Sequence, residues 1–254
     1  MTPPRSIQAS AASVCGPTRT RNEDIAVLGA RSVRDAQAFE TWSIDANARP
    51  FVAAVLDGLG GHQGGDEASA RVAERLLRTV GRWSLTCTVA ECIAGLADTL
   101  DDARRELEDL GRRLPEFEGL GTTCTTLLVT SSAFVLAHVG DTRCYRRRDG
   151  VWKQLTVDQA VVVPTGSGEY QSQLTHAVGA GVPELPSDLG TDLSDKCFPG
   201  DVYVLITDGV LNATASDALL EAALEAPDAQ AIIDAALVNG GPDNATAVRL
   251  EILA

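Results

Sequence analysis

The sequence predicts an α+β fold, in which antiparallel β-sheets pack against helices that lie in separate parts of the chain. Many short runs have the apolar pattern of strands, and helical spacing is confined to residues 66–110 and 216–238. Blocks of strands and blocks of helices are typical of segregated sheets, whereas a βαβ wheel alternates at every step. The chain shows no linker and no internal repeat, so we expect residues 1–254 to form a single domain.

The first half of the chain is predicted to contain three strands and two helices. The strands are predicted at 7–15, 25–29 and 51–56. The polar, irregular stretch 30–49 is predicted to be a hairpin connection. Asp66 is predicted to cap a helix that runs to about Arg78. A second helix is predicted over 89–110, where apolar side chains recur every three or four residues.

In the second half, the apolar period changes to two at residue 121, which predicts a series of strands. These lie at 122–130, 133–140, 143–148 and 151–156. Residues 159–173 contain Gly and Pro and are predicted to form a loop. The remaining elements are a buried strand at 201–209, helices at 216–225 and 228–238, and a last strand at 245–253.

Composition excludes some functional classes. The net charge of −14 argues against a nucleic-acid partner, which requires a basic face. An acidic chain that binds a phosphorylated substrate would need cations at the site, which is a first indication of metal. The six cysteines form no CxxC pair, and no apolar run approaches the ~20 residues of a membrane span. We therefore expect reduced thiols, no membrane segment and a cytoplasmic location.

The most informative stretch is DGLGGHQGGDEAS at 57–69, in which five glycines surround one histidine. Glycine tolerates positive φ and lets the backbone approach a ligand closely. Because the loop directly follows the predicted strand 51–56, Asp57 and His62 are expected to be held at the end of that strand. Taken alone, this is only a glycine-rich loop with one acid and one base.

Further aspartates give this loop its significance. Four of them stand at or just beyond a predicted strand: Asp57, Asp141, Asp208 and Asp243. Carboxylates that converge at strand ends repel one another unless a divalent cation neutralises them. Ligands that are all oxygen favour Mg²⁺ or Mn²⁺ over zinc. The alternative for each single site is an Asp-Gly or Asp-Asn turn without a ligand.

The ordered motifs resemble those of the metal-dependent protein phosphatases, the protein phosphatase 2C family. They are RTRNED (19–24), DGLGGHQGGDEAS (57–69), GTT (121–123), HVGDTR (138–143), LTVD (155–158), LTHAVG (174–179), TDG (207–209) and DNAT (243–246). The resemblance covers nearly the whole chain. It implies a four-layer α/β/β/α sandwich, with two antiparallel β-sheets flanked by helices and a two-metal site at one end.

The resemblance also implies a ligand set for two Mn²⁺ or Mg²⁺ ions. Asp57 would bridge the ions, and the Gly58 carbonyl would ligate one of them. Asp208 and Asp243 would complete the other. Three further acidic residues would not ligate these two ions directly. Glu23 and Asp24 would hold metal-bound waters, and Asp141 would join Asp208 at a third, weaker metal site.

The implied reaction is the hydrolysis of phosphoserine and phosphothreonine in proteins. Two divalent ions ~3.5–4 Å apart activate a shared water that attacks the phosphate directly, so no protein nucleophile is needed. His62 would act as general acid for the leaving alkoxide. Arg19 would bind the phosphate through its forked guanidinium, with Arg21 the less favoured candidate. Stand-alone bacterial members, which this chain resembles, oppose a Ser/Thr kinase, and we expect a monomer.

Three alternatives stay open. Cys15 and Arg21 have the C-x5-R spacing of cysteine-dependent phosphatases. A pseudophosphatase would bind phosphoproteins without turnover, and a metal phosphatase could instead act on a small phosphorylated molecule.

The chain departs from the family pattern after LTVD. Gln159 and Ala160 replace the His-Ser of the family, and fewer residues than usual separate this motif from the next one, which begins at Leu174. A shortened flap around 159–173 is therefore expected, which affects the choice of substrate more than the chemistry.

Overall fold

The computed structural model describes residues 3–44, 48–60, 64–164, 170–182, 184–214, 216–238 and 240–253. The strands are β1 (Ser6–Val14), β2 (Ile25–Leu28), β3 (Arg31–Val33), β4 (Ala36–Ser43), β5 (Phe51–Leu56), β6 (Gly58–Leu59), β7 (Gly121–Thr122), β8 (Cys124–Val129), β9 (Phe134–Val139), β10 (Arg143–Arg148), β11 (Val151–Gln154), β12 (Ala160–Pro164), β13 (Tyr170–Leu174), β14 (Val178–Gly179), β15 (Gly190–Asp192), β16 (Val202–Ile206) and β17 (Ala245–Ile252). The helices are α1 (Gly65–Val80), α2 (Val89–Arg113), α3 (Asp208–Asn212), α4 (Asp217–Leu224) and α5 (Ala229–Leu237).

Two six-stranded antiparallel sheets pack face to face and are flanked by helices, which confirms the predicted four-layer sandwich. Sheet 1 has the order β11-β10-β16-β17-β1-β4, and sheet 2 has the order β15-β9-β8-β5-β2-β3. Helices α1 and α2 pack on sheet 2, and α4 and α5 pack on sheet 1. Each of these helix–sheet contacts buries an apolar cluster, and a further apolar cluster lies between the two sheets.

Strand β5 shows why the sequence has a continuous apolar run here. Its alternate residues Val52, Ala54 and Leu56 face the helices, while Phe51, Ala53 and Val55 face the other sheet. All six are buried. A strand covered on both faces gains from an apolar side chain at every position. This burial fixes the end of β5, where Asp57 follows.

Helix α2 has the strongest local signals for its boundaries. The Thr88 side chain accepts a hydrogen bond from the Glu91 amide, and the Glu91 carboxylate accepts one from the Thr88 amide at 2.8 Å. This capping box satisfies amides that the first turn leaves without partners. The apolar stripe of α2 then packs against α1 and sheet 2.

The described residues contain no helix that combines the length and apolarity needed to cross a membrane.

Three local predictions are wrong. Residues 30–49 include β3 and β4, and among the described residues β4 pairs with β1 at the edge of sheet 1, where its exposed side chains, Phe39 included, follow no apolar alternation. Asp66 does not cap α1, because Gly64 is the N-cap and Asp66 lies within the first turn. The predicted loop 159–173 contains a hairpin, β12–β13, whose largely exposed side chains lack the apolar alternation of a packed strand.

Candidate metal centre

A cavity of 340 Å³ lies where β5, β9 and β16 end and β17 begins. Seven of the predicted site residues line it: Arg19, Glu23, Asp57, Gly58, Asp141, Asp208 and Asp243. They come from five separate parts of the sequence, and the strand ends bring them together. The sequence motifs therefore converge on one cavity, which also includes Leu174 at the end of β13.

The backbone of Asp57 is held by two threonines of the adjacent GTT motif. Thr123 donates its amide to the Asp57 carbonyl and accepts the Asp57 amide on Oγ1, both at 2.9 Å. Thr122 Oγ1 donates to the same carbonyl at 2.8 Å. Three hydrogen bonds thus fix the direction in which the Asp57 side chain leaves the chain. Sequence reasoning missed these supporting threonines, although the GTT motif contained them.

Gly58 stands where no larger residue fits. A Cβ at this position would lie 2.1 Å from the Gly65 carbonyl oxygen and 2.7 Å from that of Glu23. The Gly58 amide donates to the Glu23 carbonyl at 3.2 Å, which joins the glycine loop to the segment after β1. The structure therefore gives a steric reason for glycine next to Asp57.

Asp208 and Asp243 are brought together by pairing between β16 and β17. Asp208 begins α3 two residues after the end of β16, and Asp243 lies two residues before the start of β17. A Cβ on Gly209 would lie 1.7 Å from the Asn244 carbonyl oxygen, so the two chains touch here. The Asn244 side chain accepts the Gly16 amide at 3.1 Å and ties this corner to the end of β1.

The carboxylates raise one another's pKa. Burial, and then the charges of neighbouring aspartates, hold the pKa of Asp57 well above its ordinary value. Burial is also the largest cause of the raised pKa of Asp208, followed by the charge of Asp243. Burial and then Asp208 raise the pKa of Asp141 to about 6. Buried acids that suppress one another's ionisation form a donor set suited to a hard divalent cation.

In the structure, neighbouring side chains form hydrogen bonds to two of these carboxylates. Arg19 donates to the Asp243 carboxylate at 2.6 Å, and Asn212 donates to the Asp208 carboxylate at 3.2 Å. Among the residues described, no three Asp, Glu, His or Cys side chains are grouped so that they could hold one ion. The oxygen chemistry and the clustered charge of the set still fit a divalent metal, but the side chains would have to leave these contacts and move closer together to hold an ion.

Glu23 and Asp24 differ in position. Glu23 lines the cavity, and burial is the largest cause that raises its pKa. Asp24 is 2% exposed and lies outside the cavity wall, where Thr207 Oγ1 donates to it at 2.7 Å. Burial raises the pKa of Asp24 to about 7, although hydrogen bonds from Thr207 and Thr246 lower it. Asp24 is thus placed to act on the cavity by its charge. His62 lies outside the described residues.

The cysteine-dependent alternative finds little support in the geometry. Burial, and then the charge of Asp35, raises the pKa of the Cys15 thiol, which is opposite to the shift that makes a reactive thiolate. Arg21, the other end of the C-x5-R spacing, pairs with Asp66 at 3.3 Å.

The sequence of the chain is similar to those of known protein phosphatases. The sequence model described as Protein phosphatase 2C matches residues 32–226. The chain is 29% identical to the serine/threonine protein phosphatase PstP of Mycobacterium tuberculosis over 97% of its length, and it spans 45% of that relative. It is 30% identical to a putative protein phosphatase 2C-type protein of Streptococcus pyogenes, with 76% of this chain and 82% of the relative covered.

Among solved structures, the catalytic domain of PstP in complex with two manganese ions superposes with a TM-score of 0.71 and 26% identity. The match covers 98% of this chain and 100% of that domain. The family match extends over most of the residues that build the two sheets, and seven of the eight ordered motifs place a residue in the wall of one cavity. The chain belongs to the protein phosphatase 2C family.

Proposed function

We propose that this chain is a metal-dependent protein phosphatase that hydrolyses phosphoserine and phosphothreonine. The observation that carries the proposal is the convergence of four aspartates and Arg19 on one cavity. The PstP catalytic domain, with which the chain shares its fold, was crystallised with two manganese ions. The named relatives that match nearly the whole chain are serine/threonine phosphatases.

The proposed ligands of two Mn²⁺ or Mg²⁺ ions are Asp57, the Gly58 carbonyl, Asp208 and Asp243. Asp141, which lines the same cavity, would join Asp208 for a third ion. Bound divalent ions supply a hydroxide-like water at neutral pH and neutralise charge on the phosphate. Glu23, in the cavity wall, is proposed to orient water, and buried Asp24 to support the site by charge.

The chain's own contribution is to orient the phosphate and to supply a proton. Arg19 reaches the cavity wall with a guanidinium that can form two parallel hydrogen bonds to phosphate oxygens. His62 is proposed to protonate the leaving seryl or threonyl oxygen, on the strength of its place in the glycine loop. Both roles follow the family motifs at matching positions.

Residues 1–254 are proposed to form one catalytic domain, with the hairpin β12–β13 as a shortened flap around 159–173. Leu174, at the end of this hairpin, lines the metal cavity, so the hairpin borders the site. The proposed substrates are phosphorylated proteins of a Ser/Thr kinase in the cytoplasm, and the chain is proposed to act as a monomer.

The first experiment is hydrolysis of a phosphothreonine peptide by the purified chain, with manganese and with EDTA. We expect turnover that requires manganese, disappears with EDTA and returns when manganese is added in excess. Activity that persists in EDTA would instead direct attention to Cys15. A protein that binds manganese but never turns over would be a phosphoprotein-binding module and would contradict the proposal.

A second prediction concerns Arg19. Arg19→Lys keeps the positive charge but loses the fork, so the KM for the phosphopeptide should rise roughly 10- to 100-fold, the equivalent of one charged hydrogen bond. The requirement for manganese should be unchanged. The matched control is Arg21→Lys, which alters only an ion pair whose arginine side chain is 55% exposed. It should change the KM by less than about fivefold. Equal effects in the two variants would remove Arg19 from the phosphate site.

A further inference from the structure

His138 occupies a position that the proposed chemistry does not use. It lies on β9, three residues before Asp141, is 8% exposed, and is absent from the wall of the metal cavity. Its Nε2 lies 3.1 Å from the Val157 carbonyl oxygen, and its Nδ1 lies 2.8 Å from Thr125 Oγ1. Both ring nitrogens therefore have a partner, and the partners lie on different elements.

The partners determine which nitrogen carries the proton. A carbonyl oxygen can only accept, so Nε2 must donate to Val157. In a neutral ring Nδ1 is then an acceptor, and the Thr125 hydroxyl donates to it. Burial, the largest cause, lowers the pKa of His138 and favours this neutral form.

The chain of hydrogen bonds continues to the residue beside Asp141. Thr125 Oγ1 lies 2.7 Å from Thr142 Oγ1, and 3.3 Å from the Thr142 carbonyl oxygen. Because the one Thr125 proton is directed at His138, Thr142 donates to Thr125. Thr125 and Thr142 are fully buried, so water does not replace these bonds. The order of donation is Thr142, Thr125, His138 and then Val157.

Val157 begins the segment that leads into the β12–β13 hairpin. Val157 is 79% exposed, so side-chain packing contributes little to its position. Its carbonyl, in contrast, accepts the hydrogen bond from the buried His138 ring. The next two residues are tied to the turn around Asp141. Arg143 forks Asp158 with bonds of 2.8 and 2.6 Å, and Gln159 exchanges hydrogen bonds with Gly140 at 2.8 and 2.9 Å.

The same segment reaches the metal cavity by a second route. The Gln159 carbonyl accepts the Thr175 amide at 2.8 Å, and Ala160 pairs with Leu174 in the hairpin. Asp141 and Leu174 both line the cavity. Residues 157–159 therefore link two parts of the cavity wall, one in the turn after β9 and one at the end of the hairpin.

We propose that His138 is a positioning residue, which as a neutral imidazole protonated on Nε2 holds the base of the β12–β13 hairpin in register with the Asp141 turn. This inference rests on the proposed phosphatase function. On this proposal a phosphopeptide would extend past the cavity toward the hairpin, which borders it at Leu174, whereas a small aryl phosphate would stay within the cavity. Loss of the hold on Val157 should therefore weaken peptide binding more than it slows the chemistry.

The test uses two variants that each keep one of the two hydrogen bonds of the ring. His138→Gln places an amide donor where Nε2 was, and His138→Asn places an amide oxygen where Nδ1 was. We expect His138→Asn to raise the KM for a phosphothreonine peptide about 10-fold, because the Val157 carbonyl loses the donor that holds it. The kcat for a small aryl phosphate at saturating manganese should change less than about twofold. His138→Gln should restore most of the peptide KM.

A second pair of variants tests the other end of the chain. Thr142→Val should reproduce the peptide-specific rise in KM, and Thr142→Ser, which keeps the hydroxyl, should not. An imidazole ¹H–¹⁵N spectrum of the wild-type chain should show His138 neutral and protonated on Nε2, with its signals assigned by their absence in His138→Asn.

The outcomes separate the two proposals. Wild-type chain that fails to hydrolyse the peptide with manganese would contradict the proposed function, and the positioning role with it. Active wild type with an unchanged KM in His138→Asn and Thr142→Val would overturn the positioning role alone. Equal losses on both substrates in His138→Asn and His138→Gln would also overturn it, because they would indicate a purely structural residue. A spectrum that shows His138 protonated on Nδ1 would overturn it as well.

Discussion

Asp208→Asn should abolish manganese-supported hydrolysis, with a fall in kcat of at least about 10³-fold. Asp208 lies in the cavity beside Asp57, Asp141 and Asp243, so it can contribute to more than one proposed ion position. Asparagine keeps the shape of the side chain but removes the charge that a divalent ion requires. Steady-state kinetics over a manganese titration would check this, since added metal should not restore the wild-type rate.

The same substitution should not destabilise the metal-free protein. The Asp208 carboxylate is buried among like charges, and Asn212 donates to it at 3.2 Å. The asparagine carbonyl can accept that same bond, while the repulsion from Asp243 disappears. We therefore expect an unchanged or higher Tm in EDTA, together with a smaller rise in Tm when manganese is added. Loss of activity accompanied by a large fall in Tm would instead mean that the site collapsed.

Two control variants distinguish the loss of a metal ligand from the loss of an ordinary carboxylate and from the loss of a reactive thiol. Asp98→Asn removes a carboxylate from the exposed face of α2 and should leave kcat and KM unchanged. Cys15→Ser removes the thiol of the cysteine-dependent mechanism and should also leave turnover nearly intact. If Cys15→Ser abolished activity and Asp208→Asn did not, the proposed mechanism would be wrong.

The sequence predicted the elements whose side chains are buried in a regular pattern. Strand β5 and helix α2 are the best examples, since burial on both faces gives β5 a continuous apolar run and burial of one stripe gives α2 a clear helical period. Strand β4 and the hairpin β12–β13 were missed because their exposed side chains need no apolar alternation. Their strand conformation depends on pairing with a neighbour, which a local window does not contain.

The candidate site was predicted to a similar extent. The motifs named seven residues that line the cavity: local patterns located the four aspartates at strand ends, and the family resemblance supplied Arg19, Glu23 and the role of Gly58. Periodicity did not show which acids face the cavity and which lie behind it. Asp24 is adjacent to Glu23 in sequence, yet it is buried against Thr207, which lies 183 residues away. Such long-range contacts depend on how β1, β16 and β17 pair in sheet 1.

The metal-free protein should lose stability as the pH rises from about 5 to 8. The folded-state pKa is raised to about 6 for Asp141 and about 7 for Asp24, and it is raised for Asp57 and Asp208 as well. An acid with a raised folded-state pKa gives up its proton more readily when unfolded. The unfolded state is therefore favoured progressively between the unfolded and folded pKa values.

Other groups do not reverse this trend. Glu91 and Glu106 have lowered pKa values, and their contribution is lost only as the pH falls below about 4.5. The lowered pKa of His138 acts in the opposite direction, since protonation below about pH 6.5 favours unfolding. One histidine then opposes four aspartates over the same interval. The aspartates should prevail, and the Tm in EDTA should fall between pH 5 and pH 8.

Manganese should reverse the trend, because the ion binds the ionised carboxylates of the folded state and replaces repulsion by attraction. Thermal unfolding at pH 5 and pH 8, with EDTA and with manganese, would measure this. We expect the rise in Tm on adding manganese to be larger at pH 8, where protons no longer compete for the ligands. Asp208→Asn should flatten the pH dependence in EDTA. A Tm in EDTA that increases from pH 5 to pH 8 would show that the clustered carboxylates do not control the stability of this cavity.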